Sequence, residues 1–158
     1  MKTKKVHISS GFPASADEIW SKLTKLKTLQ YIAAPYAYFR SIDTKSELIW
    51  REGMTAQFRL KILGFIPMGI HTIKIVEFNK DNYLVRSIEG NKHVPVWRHT
   101  IILEPSTDQT TYYEDVVEIE AGWKTGIVSI WSRVFYRNRQ RKWHKLLRLC
   151  SQPSRKYN

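Results

Sequence analysis

The sequence has few of the residues that cross-link a chain or carry it through a membrane. Its one cysteine, Cys150, excludes an internal disulfide and a zinc site of four cysteines. No segment approaches the ~18 consecutive apolar residues of a spanning helix. No apolar run follows the basic start at residues 1–5, as it would in a secretory signal. With 42% hydrophobic and 25% charged residues, we expect one cytoplasmic globular domain over residues 1–158.

Acidic residues are missing from the C-terminal part of the chain. The sequence has 26 lysines and arginines against 14 acids, a formal net charge of +12. Residues 122–158 hold ten of these bases and no acid, so residues 1–121 carry 16 bases against 14 acids. Such a segment is typical of docking on RNA, a ribosome or an anionic membrane, and equally of a solvated helix face. Within residues 133–156, the candidate contacts with an anionic partner are Arg137, Arg139, Arg141, Lys142, Lys145 and Arg148.

Aromatic and aliphatic residues are interleaved with these bases. Tyr136 and Trp143 are candidates for stacking on bases or for a lipid interface. Trp143, Leu146 and Leu147 are equally candidates for a homodimer contact. The sequence leaves these alternatives open.

The chain reads as a strand, a short helical region, a meander and a long helix. The first strand is predicted over Lys4–Phe12. Ser15 and Glu18 have the spacing of a capping box at the start of the helical region, and Pro35 ends that region because proline cannot continue a helix. Residues 37–121 alternate between apolar and polar positions with short turns, which predicts antiparallel strands.

A long helix is predicted from about Thr125 to Cys150. Its first half has apolar residues at helical spacing, and we expect this stripe to pack on the body of the protein. The stripe consists of Ile127, Ile130, Trp131, Val134 and Phe135. Beyond Arg137 the same face becomes polar, so the helix either leaves the body near Asn138 or changes the face that it buries.

Three segments, taken in order, carry a resemblance to a known superfamily. They are residues 12–20 (FPASADEIW), residues 97–101 (WRHTI) followed by 111–117 (TYYEDVV), and residues 135–143 (FYRNRQRKW). The chain resembles the START/Bet v 1-like (SRPBCC) superfamily, in its polyketide cyclase and lipid-transfer branch. The resemblance implies an α+β helix-grip fold, in which a curved antiparallel sheet wraps around the C-terminal helix, with two short helices after the first strand. It also implies a cavity for apolar ligands such as lipids or polyketides, on which some members catalyse reactions.

His99 and Asp115 are the best candidates for chemistry. If the hairpin turns at residues 106–108, facing residue numbers sum to 214, and His99 lies opposite Asp115 on the apolar face. A buried aspartate needs such a partner because an unpaired buried carboxylate is costly. The pair is interpreted as a structural polar pair, as an anchor for a ligand's polar group, or as a general base activated by the carboxylate.

The predicted ligand site combines this pair with an apolar wall. Its candidate residues are Phe58, Leu60, Trp97, His99, Tyr113, Asp115, Trp131 and Phe135. The first hypothesis is non-enzymatic binding of a hydrophobic small molecule. The alternatives are a cyclase or hydratase that uses His99 and Asp115, and docking through the basic helix. No histidine spacing indicates a metal, and no nucleotide-binding motif is present, so no cofactor is expected.

Overall fold

The computed structural model describes residues 2–42 and 48–151. Three α-helices, one 3-10 turn and seven strands follow each other in the described residues. In chain order they are β1 (Lys4–Phe12), α1 (Ala16–Leu23), α2 (Leu26–Ala33), β2 (Ala37–Ser41), β3 (Thr55–Ile62), β4 (Ile66–Asn79), β5 (Leu84–Gly90), β6 (Val96–Thr107), β7 (Thr110–Glu120), a 3-10 turn (Gly122–Lys124) and α3 (Thr125–Ser151). None of the described helices is long and apolar enough to cross a membrane.

The strands form one antiparallel sheet in the order β1-β7-β6-β5-β4-β3-β2. The burial pattern of β7 is typical of a strand with one face in the core. Its odd-numbered residues from Thr111 to Ile119 are buried, while the residues between them are not. α3 packs across the concave face of this sheet, against β1, β7 and α2. The α+β helix-grip architecture is therefore confirmed.

The first helix begins as its sequence predicts. The Ser15 side chain accepts a hydrogen bond from the backbone N–H of Glu18 at 3.2 Å. This bond satisfies one of the amides that have no partner inside the first helical turn. The described structure shows the serine half of the predicted capping box, and the Glu18 carboxylate instead lies 3.8 Å from Lys22.

Only part of the predicted apolar stripe in the first half of α3 packs on the body of the protein: Phe135 is buried, with Trp131 packed beside it. Ile127 and Ile130 are each 67% exposed and Val134 is 43% exposed. The face toward the sheet instead carries Ser129 and Ser132, which bring the helix backbone close to the strands. Their hydroxyls donate within the helix, to the carbonyls of Gly126 and Ser129. Because these hydroxyls have acceptors within the helix, the small polar side chains can be buried, and apolar spacing alone does not identify the centre of the buried face.

The second half of α3 stays on the body of the protein. Trp143 and Leu147 are buried in a core cluster with Phe12, Tyr113 and residues of α1. Tyr136 is also buried, and it accepts a hydrogen bond from the Trp97 indole at 3.3 Å. The hypotheses that Trp143 and Tyr136 stack on bases, and that Trp143 and Leu147 form a dimer contact, are wrong because these side chains are inside the protein.

Candidate functional site

A cavity of about 350 Å³ lies between the concave face of the sheet and α3. Its walls are mostly apolar and include Trp50, Leu60, Ile75, Trp97, Trp131 and Phe135. Ile66 and Ile127 both line the cavity and are exposed, at 41% and 67%. The cavity therefore opens to solvent between the start of β4 and the first turn of α3. A volume of about 300–1,000 Å³ is typical of small-molecule sites.

Five of the eight predicted ligand-site residues line this cavity. They are Leu60, Trp97, His99, Trp131 and Phe135. The other three, Phe58, Tyr113 and Asp115, point to the same side of the sheet but are fully buried behind the cavity wall. Tyr113 packs against Phe12 and Trp143 in the core, so its ring serves packing and does not form the wall.

The predicted His99–Asp115 contact is present, but the predicted strand register is wrong. His99 pairs with Val117 across the sheet and Asp115 pairs with Ile101, so facing residue numbers sum to 216. The chain turns at Asp108 and Gln109, later than predicted, and the pairing is irregular between Pro105 and Thr107. Because side chains alternate between the two faces of a strand, a register shift of two residues leaves each side chain on the same face of the sheet. His99 Nε2 therefore still reaches Asp115 Oδ1, diagonally, at 2.8 Å.

Asp115 is the acceptor at the centre of a buried network. It accepts from His99, from the Tyr113 hydroxyl at 3.4 Å, and from Gln140 Nε2 at 3.2 Å. Burial alone would raise the pKa of Asp115, but the positive charge of Arg139 and the hydrogen bond from His99 outweigh burial and lower the pKa. Asp115 is therefore a carboxylate at neutral pH.

Glu89, on β5, is the second carboxylate of the network and was not predicted from the sequence. Its carboxylate accepts from His71 Nε2 at 3.1 Å and from the Ser87 hydroxyl at 2.6 Å. Burial would raise the pKa of Glu89, but the hydrogen bond from His71 and the neighbouring His99 lower it well below its usual range. The available signal was the alternation of β5, which places Val85, Ser87 and Glu89 on one face.

His99 lies between the two carboxylates. Its Nε2 contacts Asp115 and its Nδ1 lies 3.7 Å from Glu89 Oε1. Burial would lower the pKa of His99, but the two carboxylates outweigh burial and raise it above the ordinary value of 6.5. A general base must be unprotonated, whereas these surroundings favour the imidazolium. His99 is therefore better suited to donate a hydrogen bond or a proton than to accept one.

Arg139 lines the cavity, although the sequence analysis assigned it to an external anionic partner. Its side chain is 6% exposed, and its Nε lies 3.8 Å from Asp115 Oδ1 and has no hydrogen-bond partner among the described residues. The guanidinium lies 5.5 Å from the centre of the Tyr136 ring. Helical spacing supplied a signal for this placement, because Arg139 lies three residues after Tyr136 and four before Trp143. The external role of Arg139 is wrong because the helix buries this face.

The remaining predicted basic residues have mixed positions. Arg137, Arg141, Lys145 and Arg148 are exposed and continue the stripe that begins at Ile127. Lys142 is half-buried, with its ammonium 4.5 Å from the centre of the Tyr31 ring. Residues 152–156, which complete the predicted basic segment, lie outside the described residues.

Comparison with known proteins agrees with this architecture. A family described as "Domain of unknown function (DUF8410)" matches residues 10–147. A comparison with curated proteins found no match. Among solved structures, a START superfamily protein from Mycobacterium smegmatis aligns with a TM-score of 0.66 at 10% identity, over 93% of this chain and 99% of that one.

Two similar structures are enzymes by name. Norcoclaurine synthase from Thalictrum flavum, in complex with dopamine and hydroxybenzaldehyde, aligns with a TM-score of 0.64 at 18% identity, over 97% of this chain and 90% of that one. The Zhui aromatase/cyclase from Streptomyces sp. R1128 aligns with a TM-score of 0.64 at 9% identity, over 92% of each chain. At these identities the likeness establishes the START/Bet v 1-like fold.

Proposed function

The chain belongs to the DUF8410 family, and we propose that it binds a hydrophobic small molecule in the cavity between the sheet and α3. The observation that carries this proposal is the composition of the cavity. Its walls are aromatic and aliphatic, and its polar lining is a small set of mutually hydrogen-bonded groups. An apolar pocket with a few placed polar groups is the usual form of a small-molecule site.

The apolar walls supply the affinity. Each Å² of apolar surface removed from water contributes about 25 cal/mol, and Trp97, Trp131 and Phe135 offer large ring surfaces. Trp131 and Phe135 stack with ring centres 5.0 Å apart and planes 11° from parallel, which gives this wall a flat face. His99 and Arg139 hold the ligand's polar group, as hydrogen-bond donors within the same cavity.

A matched pair of variants on β5 tests the proposal. Val85 lines the cavity, while Ile88 lies on the outer face of the same strand and is 46% exposed. We expect wild-type protein to bind the uncharged fluorescent probe N-phenyl-1-naphthylamine, and Val85→Trp to weaken binding by about tenfold or more, a change of about 1.4 kcal/mol. Ile88→Trp should bind the probe like wild type. Equal binding by all three proteins, or no binding by any, would overturn the proposal.

Acid–base catalysis is the alternative that the sequence analysis left open. It required His99 as a general base, which needs the neutral imidazole. The positions of Asp115 and Glu89 on the two sides of the ring favour the protonated form. The geometry therefore supports binding better than this form of catalysis.

A second candidate function is contact with an anionic surface through α3. The observation that favours it is the single exposed stripe of Arg137, Arg141, Lys145 and Arg148, in a segment with no acid. Binding of labelled RNA or of anionic vesicles should then weaken steeply as salt is raised. Replacing all four residues by glutamine should abolish that binding and leave probe binding in the cavity unchanged. Binding that persists in the glutamine variant would contradict this candidate.

A further inference from the structure

The net charge at the polar end of the cavity is set by a small group of titratable side chains. Asp115 is fully buried and the Glu89 side chain is only 12% exposed, and both carboxylates are held in the ionised form by the groups that donate to them. Arg139 is a buried cation beside Asp115. Tyr113 and Tyr136 are neutral, because burial raises the pKa of each hydroxyl above its ordinary value. The net charge of this end of the cavity therefore depends on whether His71 and His99 are protonated.

The protonation state of each histidine follows from the groups that surround its ring. The Asn91 side-chain nitrogen is a donor and lies 3.3 Å from His71 Nδ1, so this nitrogen accepts and His71 Nε2 donates to Glu89. His71 is therefore the neutral imidazole. His99 Nε2 donates to Asp115 at 2.8 Å, and the carboxylates of Asp115 and Glu89 on the two sides of the ring favour the positively charged imidazolium.

The cavity consequently faces a cluster with no net charge. Two carboxylates, Glu89 and Asp115, are balanced by one imidazolium, His99, and one guanidinium, Arg139. A ligand anion would add an uncompensated charge to a buried site, and such a charge costs several kcal/mol. The cluster nevertheless offers hydrogen-bond donors, because Arg139 lines the cavity and its guanidinium has five N–H groups and no acceptor.

We infer that the cavity selects an uncharged apolar ligand whose oxygen accepts a hydrogen bond, such as a ketone, aldehyde or alcohol, and discriminates against ionised acids of the same shape. This inference rests on the proposed function and adds the chemical class of the ligand. The acceptor oxygen binds at the Arg139 guanidinium, the cation that lines the cavity. A hydrocarbon of the same shape offers this guanidinium no acceptor, which a site built around hydrogen-bond donors disfavours.

Three compounds of equal size test the inference on the wild-type protein. They are 2-acetonaphthone, which is an uncharged ketone, 2-naphthoate, which is an anion at pH 7.5, and 2-isopropylnaphthalene, which has no acceptor. Affinities are measured by equilibrium dialysis. We expect the ketone to bind about tenfold or more tightly than the carboxylate, and more tightly than the hydrocarbon. Equal or tighter binding of either competitor would overturn the inference, while the proposed function would stand. Failure of all three compounds to bind would overturn both.

Removing one negative charge should change this selectivity in a defined direction. Glu89→Gln keeps the shape of the side chain, and the Ser87 hydroxyl can rotate to accept from the new amide. The cluster then becomes positive, and we expect naphthoate to bind more tightly relative to the ketone, by about tenfold. Glu118→Gln is the matched control, since Glu118 pairs with Arg98 on the outer face of the sheet. An unchanged ratio in Glu89→Gln, or the same change in Glu118→Gln, would overturn the charge balance as the cause.

Discussion

Asp115→Asn perturbs the centre of the buried network with almost no change in shape. Asp115 is fully buried, and a carboxylate only accepts hydrogen bonds. It is surrounded by donors, namely His99 Nε2 at 2.8 Å, Gln140 Nε2 at 3.2 Å, the Tyr113 hydroxyl at 3.4 Å and Arg139 Nε at 3.8 Å. Asparagine would bring an amide N–H₂ into this ring of donors, so at least one donor would lose its acceptor.

Gln140 cannot relieve the conflict by turning its amide. Its Oε1 accepts from the Ser10 hydroxyl at 2.5 Å, and its Nε2 also donates to the Ile8 carbonyl at 2.8 Å. A reversed amide would lose the bond to the Ile8 carbonyl, because two acceptor oxygens would then face each other. The lost acceptor at position 115 is therefore not restored by its neighbours.

The expected magnitude follows from the buried charges. Without the Asp115 carboxylate, the His99 and Arg139 cations are balanced only by Glu89. Breaking a buried ion pair costs about 3–5 kcal/mol, a large part of the ~5–15 kcal/mol that stabilises a typical domain. We therefore expect Asp115→Asn to lower the free energy of unfolding by about 3–5 kcal/mol. The assay is urea unfolding followed by the fluorescence of the six tryptophans.

Glu118→Gln is the control for this measurement, because Glu118 is on the same strand as Asp115. Its ion pair with Arg98 is exposed and spans 3.9 Å, so its loss should cost less than about 1 kcal/mol. A cost below about 1 kcal/mol for Asp115→Asn as well would refute the reasoning that its charge compensates buried cations.

Three further predictions concern other parts of the fold. The raised pKa of His99 stabilises the folded state fully below pH 6.5, and this contribution is lost as pH rises through the folded-state pKa. Urea titrations should show the free energy of unfolding falling above pH 6.5 in wild type, with that slope absent from His99→Gln. An added Cβ at Gly90 would lie 2.7 Å from the Pro95 carbonyl oxygen, whereas Gly11 has open space; calorimetry should show Gly90→Ala destabilised by about 1–3 kcal/mol and Gly11→Ala little changed. Ser15→Ala should lower stability to urea by about 1 kcal/mol, because it removes the cap of α1.

Local sequence patterns predicted the helices and strands well, because caps, turns and apolar spacing involve residues that are close together in the sequence. The bounds of β1, Lys4–Phe12, match the prediction, and the described part of α3, Thr125–Ser151, covers the predicted helix. The inward position of His99 and Asp115 was also predictable, since side chains alternate along a strand whatever its register. The register itself was not, because it depends on where the β6–β7 hairpin turns.

The sequence alone determined the order of elements, the helix-grip architecture and the face on which the His99–Asp115 pair lies. Only the tertiary structure decided which side of α3 is inside, and with it that Arg139 faces the cavity while Ile130 faces solvent. It also brought Glu89 on β5 beside His99 on β6. The physical reason is that a buried charge is tolerated only beside its partner. These partners are 10 to 24 residues apart in the chain, so no local spacing could bring them together.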